Sequence, residues 1–140
     1  MPLLAILFLF MVSCGEEESE LANAVPMAQD CESTHPLVGQ SKNLSTLAHE
    51  VSGVVTIVSD CEIEISNFFY DGKGPAVRVY GGAGGNFESG VNMSEALNGR
   101  VYAGETLSFF LPEGSSLDTI DSFSIWCFLF REDFGSVIFQ

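Results

Sequence analysis

The chain is poor in positive charge. Its 140 residues hold five Lys and Arg against 19 Asp and Glu, a formal net charge of −14. Such a surface repels a phosphate backbone, which excludes nucleic acid as a partner. Histidine is almost absent: only His35 and His49 could offer an imidazole to a metal or a haem iron. No Cys-x-x-Cys-His stands ready for covalent haem attachment, and the four cysteines match no zinc module. There is no Gly-x-Ser-x-Gly elbow. The run Gly81-Gly82-Ala83-Gly84-Gly85 lacks the Lys-Ser/Thr of a phosphate loop and reads as a bulged or flexible turn. Asp71 lacks the carboxylate spacing of a calcium loop. These absences argue against a stand-alone enzyme. Long apolar runs are also missing, since Leu3 to Val12 is only ten residues and too short to cross a bilayer as a helix.

That run fits the apolar core of a secretory signal, with no charged side chain in positions 1 to 13. Met11-Val12-Ser13-Cys14 resembles the lipobox of bacterial lipoproteins, although Met11 stands where Leu is usual and no basic residue precedes the run. The resemblance implies cleavage before Cys14 and lipidation of its thiol, and several acyl chains give durable membrane attachment. Residues 1–13 are therefore expected to be a signal peptide. Residues 14–35 are expected to be a lipidated cysteine followed by an acidic tether, with Glu16, Glu17, Glu18 and Glu20 at its start. The expected location is the bacterial cell envelope, at the outer membrane or cell surface, with the membrane reached through the lipid.

Residues 36–140 remain as one folded unit, with 13 acidic and five basic residues. Its pattern is β throughout. Val51 to Val58 is rich in β-branched residues. Ile63 and Ile65 alternate with Glu62 and Glu64, the period-two pattern of a strand with one wet face. Phe68, Phe69 and Tyr70 continue that strand into Asp71-Gly72, read as a tight turn between neighbouring strands. Further strands are expected at Val77 to Tyr80, Thr106 to Leu111, Phe123 to Phe130 and Val137 to Phe139, with a short helical turn at Met93 to Leu97 capped by Ser94. The most apolar, Phe123 to Phe130, is expected to be central. The fold class is all-β, a single sandwich or barrel-like domain of short antiparallel strands.

Several ordered segments resemble the DM-thirteen (DM13) family. They are Ala48-His49-Glu50-Val51-Ser52-Gly53, Asn67-Phe68-Phe69-Tyr70-Asp71-Gly72-Lys73-Gly74-Pro75, Val77-Arg78-Val79-Tyr80-Gly81-Gly82, Leu107 to Pro112, Ile120 to Cys127 and Asp133-Phe134-Gly135-Ser136. The likeness implies an extracellular β module with a proposed part in electron transfer. It also implies that the family's characteristic cysteine, here Cys127, acts as a redox thiol or holds a prosthetic group such as haem. Members of the family often sit beside DOMON and b-type cytochrome domains. This chain shows no such neighbour, so a separate redox partner protein is implied.

Read as residues, Cys127 keeps three roles open. Alternation places it with Phe123, Ile125 and Leu129 on a core face, where apolar surroundings disfavour a thiolate. It could be a redox thiol or ligand, an inert core residue, or half of a disulfide, as suits an exported protein. The candidate pair is Cys61 with Cys127, both within the domain, and the cross-link would contribute roughly 4 kcal/mol. Cys31 is then left over in the tether. His49 is a candidate ligand, with a structural hydrogen-bonding role as the alternative. The sequence thus supports a lipid-anchored redox accessory acting through Cys127, or a non-catalytic binding or structural module in which Cys127 is a core or disulfide residue.

Overall fold

The structure is a computed structural model and describes residues 31–140. The expected signal peptide, Cys14 and the tether up to residue 30 lie outside the described residues. Eight strands make up the fold: β1 (Ser41–Asn43), β2 (Ser52–Ser59), β3 (Glu62–Tyr70), β4 (Val77–Ala83), β5 (Asn86–Asn92), β6 (Tyr102–Phe110), β7 (Ser122–Cys127) and β8 (Glu132–Ile138). Two antiparallel four-stranded sheets, ordered β1-β2-β3-β6 and β5-β4-β7-β8, face each other as a β-sandwich. There is no helix among the described residues.

Alternation decides which side chains meet between the sheets. From the first sheet, Val55, Ile57, Ile63, Ile65, Phe68 and Tyr70 turn inward; from the second, Val77, Val79, Phe123, Ile125 and Phe134 meet them. Burying each large apolar side chain contributes roughly 1.5–3 kcal/mol. β7 lies inside its sheet between β4 and β8, as its apolar run predicts. Its second face is covered as well: Ser124 bonds Asp133, and Trp126 packs against Tyr80 and Phe87.

Four local expectations change. The strand read as Phe123 to Phe130 ends at Cys127, and Phe128 to Arg131 form the turn into β8. Leu129 is therefore outside, not in the core. Asp71-Gly72 does not join neighbouring strands; residues 71–76 carry the chain from one sheet to the other. No helical turn forms at Met93 to Leu97. That segment continues along the edge of β4, where the amides of Met93 and Leu97 donate to the carbonyls of Val79 and Val77. The glycine run supplies the end of β4 at Gly81 and Gly82, then a tight turn at Gly84 and Gly85 into β5, a strand the sequence pattern did not reveal.

The disulfide expectation is also corrected. Cys61 pairs with Cys31, with Cα atoms 5.7 Å apart, and Cys127 is free. Cys61 sits in the β2–β3 turn, beside the start of β3, whereas Cys127 ends β7 near the other end of β3. Nine strand residues at about 3.3 Å each separate the two ends, far beyond the reach of a disulfide. Residues 31–35, expected in the tether, are docked on the domain. Asp60 accepts from the amides of Thr34 and His35 and from the Thr34 hydroxyl, while the His35 Nε2 donates to Asp118.

Candidate functional site around Cys127

The site is built at one pole of the sandwich, where β3 and β7 end and residues 71–76 cross between the sheets. Gly72 and Gly74 both take left-handed backbone conformations, with φ of 80° and 102°. A side chain at Gly72 would strike the carbonyl of Arg100, and one at Gly74 would press on the Phe134 ring. These glycines let the crossover lie flat against the core. Non-glycine residues share the strain: His49, Glu50 and Ala76 also have positive φ. Left-handed backbone gathered in one place marks a segment held by its surroundings.

Beneath this loop lies Cys127, with no exposed surface. Its thiol donates to the carbonyl of Pro75 at 3.0 Å. Tyr70 lies alongside, its hydroxyl donating to the carbonyl of Lys73. The two side chains therefore fasten consecutive parts of the same loop. Burial, then the Asp71 carboxylate, then Cys127 and Tyr102 hold the Tyr70 phenol well above its ordinary pKa, so it stays protonated. Phe68, Tyr70, Tyr102 and Phe134 form an aromatic wall around it, with ring centroids 5.1–6.5 Å apart. The guanidinium of Arg100 covers the Tyr102 ring at 4.2 Å.

His49 is not in a strand. It lies in the loop before β2, its ring on Phe134 at 4.4 Å and its Nδ1–H donating to Asp71 at 3.2 Å. The Asp71 carboxyl is raised by burial, but donation from the Lys73 amide and from His49 outweighs this and leaves it below the usual carboxylate range. The structure thus brings Cys127, His49 and Asp71 to one pole. It adds Tyr70 and Phe134, which sequence reasoning placed in motifs without a role. It separates Cys61, which lies at the opposite pole with Cys31 and His35.

Haem does not fit this arrangement. The Cys127 sulfur is enclosed and engaged, and it lines none of the grooves beside Trp126, His35, Asn43 or Gly81. The two histidines lie at opposite poles, so they cannot ligate one iron together. Among the described residues, no group of three His, Cys, Asp or Glu side chains converges as a metal set. What the arrangement can do is keep a single reduced thiol away from solvent, next to a protonated phenol.

The chain is a two-sheet β module with an enclosed thiol at one pole. Residues 43–139 match the model of the electron transfer DM13 family, and the chain belongs to that family. It is 37% identical over 101 residues to Protein Skeletor, isoforms B/C, of Drosophila melanogaster, a match over 67% of this chain and 13% of that protein. It is 24% identical over 114 residues to a cytochrome b561, DM13 and DOMON domain-containing protein of Arabidopsis thaliana, over 79% of this chain and 12% of that one. The chain thus spans about an eighth of the length of these curated relatives. No solved structure matches it.

Proposed function

We propose that this chain is an extracytoplasmic electron-transfer accessory that works through Cys127, is anchored to a bacterial membrane by lipid on Cys14, and exchanges electrons with a separate protein. One observation carries the reading: among the described residues Cys31 and Cys61 are paired with each other, and Cys127 is kept as a thiol, under a strained loop, beside Tyr70. The family and the domain neighbours in the Arabidopsis relative support electron transfer as the setting. The acidic surface favours a basic protein partner and disfavours nucleic acid.

A second reading has its own observation. Cys127 is fully enclosed and makes the short bond that a structural thiol would make to Pro75, so the domain also fits a non-catalytic cell-surface module with Cys127 in its core. Cys127→Ala separates the two. The substitution removes one buried atom group and its bond, at a cost of about 1–2 kcal/mol, so the fold should survive. Under the first reading, a reversible redox wave seen by protein-film voltammetry on the intact chain disappears in the variant. An intact chain with no wave, and a variant changed in stability alone, establishes the second reading.

A further inference from the structure

A sandwich of two open sheets has four edges, and this chain treats them unequally. β1 is three residues long. Just beyond it the Ser45 amide donates to the Ser136 carbonyl of β8, and Lys42 Nζ donates to the Ile138 carbonyl. The edges of β1 and β8 are thereby tied to each other. On the other side, β5 carries Glu88, Gly90 and two asparagines, which are poor strand formers. β6 is different: it is nine residues long, and among the described residues it pairs with no strand besides β3.

Register decides which groups of β6 face outward. Leu111 donates to the Cys61 carbonyl in the same ladder that pairs Ile63 with Phe109 and Ile65 with Leu107. Residues 107, 109 and 111 therefore turn their N–H and C=O groups toward β3. Thr106, Ser108 and Phe110 turn theirs away from the sheet, as a row of donors and acceptors with no backbone partner among the described residues. Thr106 and Ser108 are exposed, and Leu107 and Phe109 are half-buried against the core. The devices that blunt an edge are missing, since residues 106–111 hold no charge and no proline. Glu105, the one charged residue of β6, is turned aside to Arg100 and to the Ala103 amide.

The two ends of this free stretch name its occupant. Gly104, at φ 103°, is the extra residue of a bulge against β3 and interrupts regular pairing on one side. Pro112, which has no N–H, stops it on the other. Ser108 is the midpoint of the residues between them. A second copy laid antiparallel across a two-fold axis at Ser108 therefore matches the stretch end to end. Ser108 then faces itself, Thr106 faces Phe110 of the second copy, and Leu107 packs beside Phe109 of the second copy. No acid faces an acid in that ladder. On the outer face the two Glu64 side chains, each beside Ser108, are separated by three strand spacings of about 4.8 Å. That is about 14 Å, beyond the Debye length of about 8 Å at physiological salt, so the net charge of −14 does not forbid the pairing.

We propose that this chain forms a two-fold dimer by adding β6 of one copy to β6 of another, which joins the first sheets of two sandwiches into one eight-stranded sheet. The inference does not rest on the electron-transfer reading. A single strand pair lies at the small end of interface sizes, so association belongs in the micromolar range. The test is a cross-link that reads register, made on the full chain in non-ionic detergent with micelles in excess. Ser108→Cys puts two thiols in a hydrogen-bonded pair with Cα atoms about 5.5 Å apart, within reach of a disulfide. Thr106→Cys leaves its two copies four residues out of register, about 13 Å apart and out of reach. Both side chains are exposed, so both variants should melt with the parent.

Under mild oxidation, Ser108→Cys should give at least roughly tenfold more disulfide-linked dimer than Thr106→Cys. Sedimentation of the parent should show a dimer that tightens severalfold between about 50 mM and about 500 mM salt, because screening relieves the repulsion between two acidic copies. Ser108→Pro removes an outward N–H and none of the bonds to β3, so it should abolish the dimer in a chain that still folds. A parent that stays monomeric at about millimolar concentration overturns the proposal. So does equal cross-linking of Ser108→Cys and Thr106→Cys, which would mark random collision. A dimer that survives in folded Ser108→Pro overturns it as well, because its contact then lies on another surface.

Discussion

Replacing both Cys31 and Cys61 with serine removes the one covalent tie between the start of the described chain and the β2–β3 turn. The loop it closes spans 30 residues. In the chain-entropy account, freeing a loop of that length destabilises the fold by about 3.6 kcal/mol at 25 °C. For a domain of this size in urea, with a slope of roughly 2 kcal/mol per molar, the midpoint should fall by roughly 2 M, with the slope rising somewhat because the uncross-linked denatured chain exposes more surface. The measurement is equilibrium urea unfolding, followed by Trp126 fluorescence, of parent and double variant under non-reducing conditions. Cys127→Ser serves as the comparison, since it breaks no cross-link and should move the midpoint much less. Alkylation of the denatured chain without reductant, followed by peptide mass analysis, must place the label on Cys127 and not on Cys31. A label on Cys31, or a shift in the double variant no larger than that of Cys127→Ser, would refute the pairing and the polarity built on it.

Two further outcomes can be checked at the crossover loop and the docked segment. Gly72→Ala drives a Cβ into the Arg100 carbonyl at φ 80°, whereas Gly84→Ala at φ 59° meets nothing within 4 Å. The first should cost roughly 2–4 kcal/mol and the second about 1 kcal/mol, read as the difference in thermal midpoint, and near-equal losses would show that the loop is not packed as described. Asp60 and Asp71 both have folded pKa values below their ordinary 3.8: Asp60 through the His35 amide and the Thr34 hydroxyl, Asp71 through the Lys73 amide and His49 in spite of burial. A depressed folded value means stability that is present above pH 3.8 and lost as pH falls through the lower folded value. Acid unfolding of Asp60→Asn should therefore be less steep below pH 4 than that of the parent, and amide exchange in residues 31–36 should rise in that variant at every pH. Unchanged exchange there would mean that Asp60 does not hold the segment.

How much was legible in advance differs from element to element. The alternation of Ile63 and Ile65 with Glu62 and Glu64 placed β3 on its correct faces, because a half-buried strand has no other way to sort its side chains. β5 was not legible. Asn86-Phe87-Glu88-Ser89-Gly90-Val91-Asn92 has little apolar periodicity, and it is a strand because β4 offers it an edge after the Gly84-Gly85 turn. The run from Phe123 to Phe130 looked uniform because composition alone does not record where a strand leaves the sheet. Phe128 to Phe130 look like core, yet they emerge at a hairpin tip.

The candidate site divides in the same way. The sequence by itself determined the β class, the family segments, the scarcity of histidine that argues against a haem or zinc centre, and Cys127 as the cysteine in the apolar strand. These are properties of composition and of local period, fixed before any two distant residues meet. Tertiary structure alone decided which cysteines pair, because pairing depends on which ends of which strands share a pole, and β3 keeps Cys61 and Cys127 a strand length apart. It likewise decided that Tyr70, His49, Asp71 and Phe134 gather over Cys127. The Phe134 contacts with His49 and Tyr70 cross from one sheet to the other, between segments far apart in the chain, and only the packing of the two sheets brings them within reach.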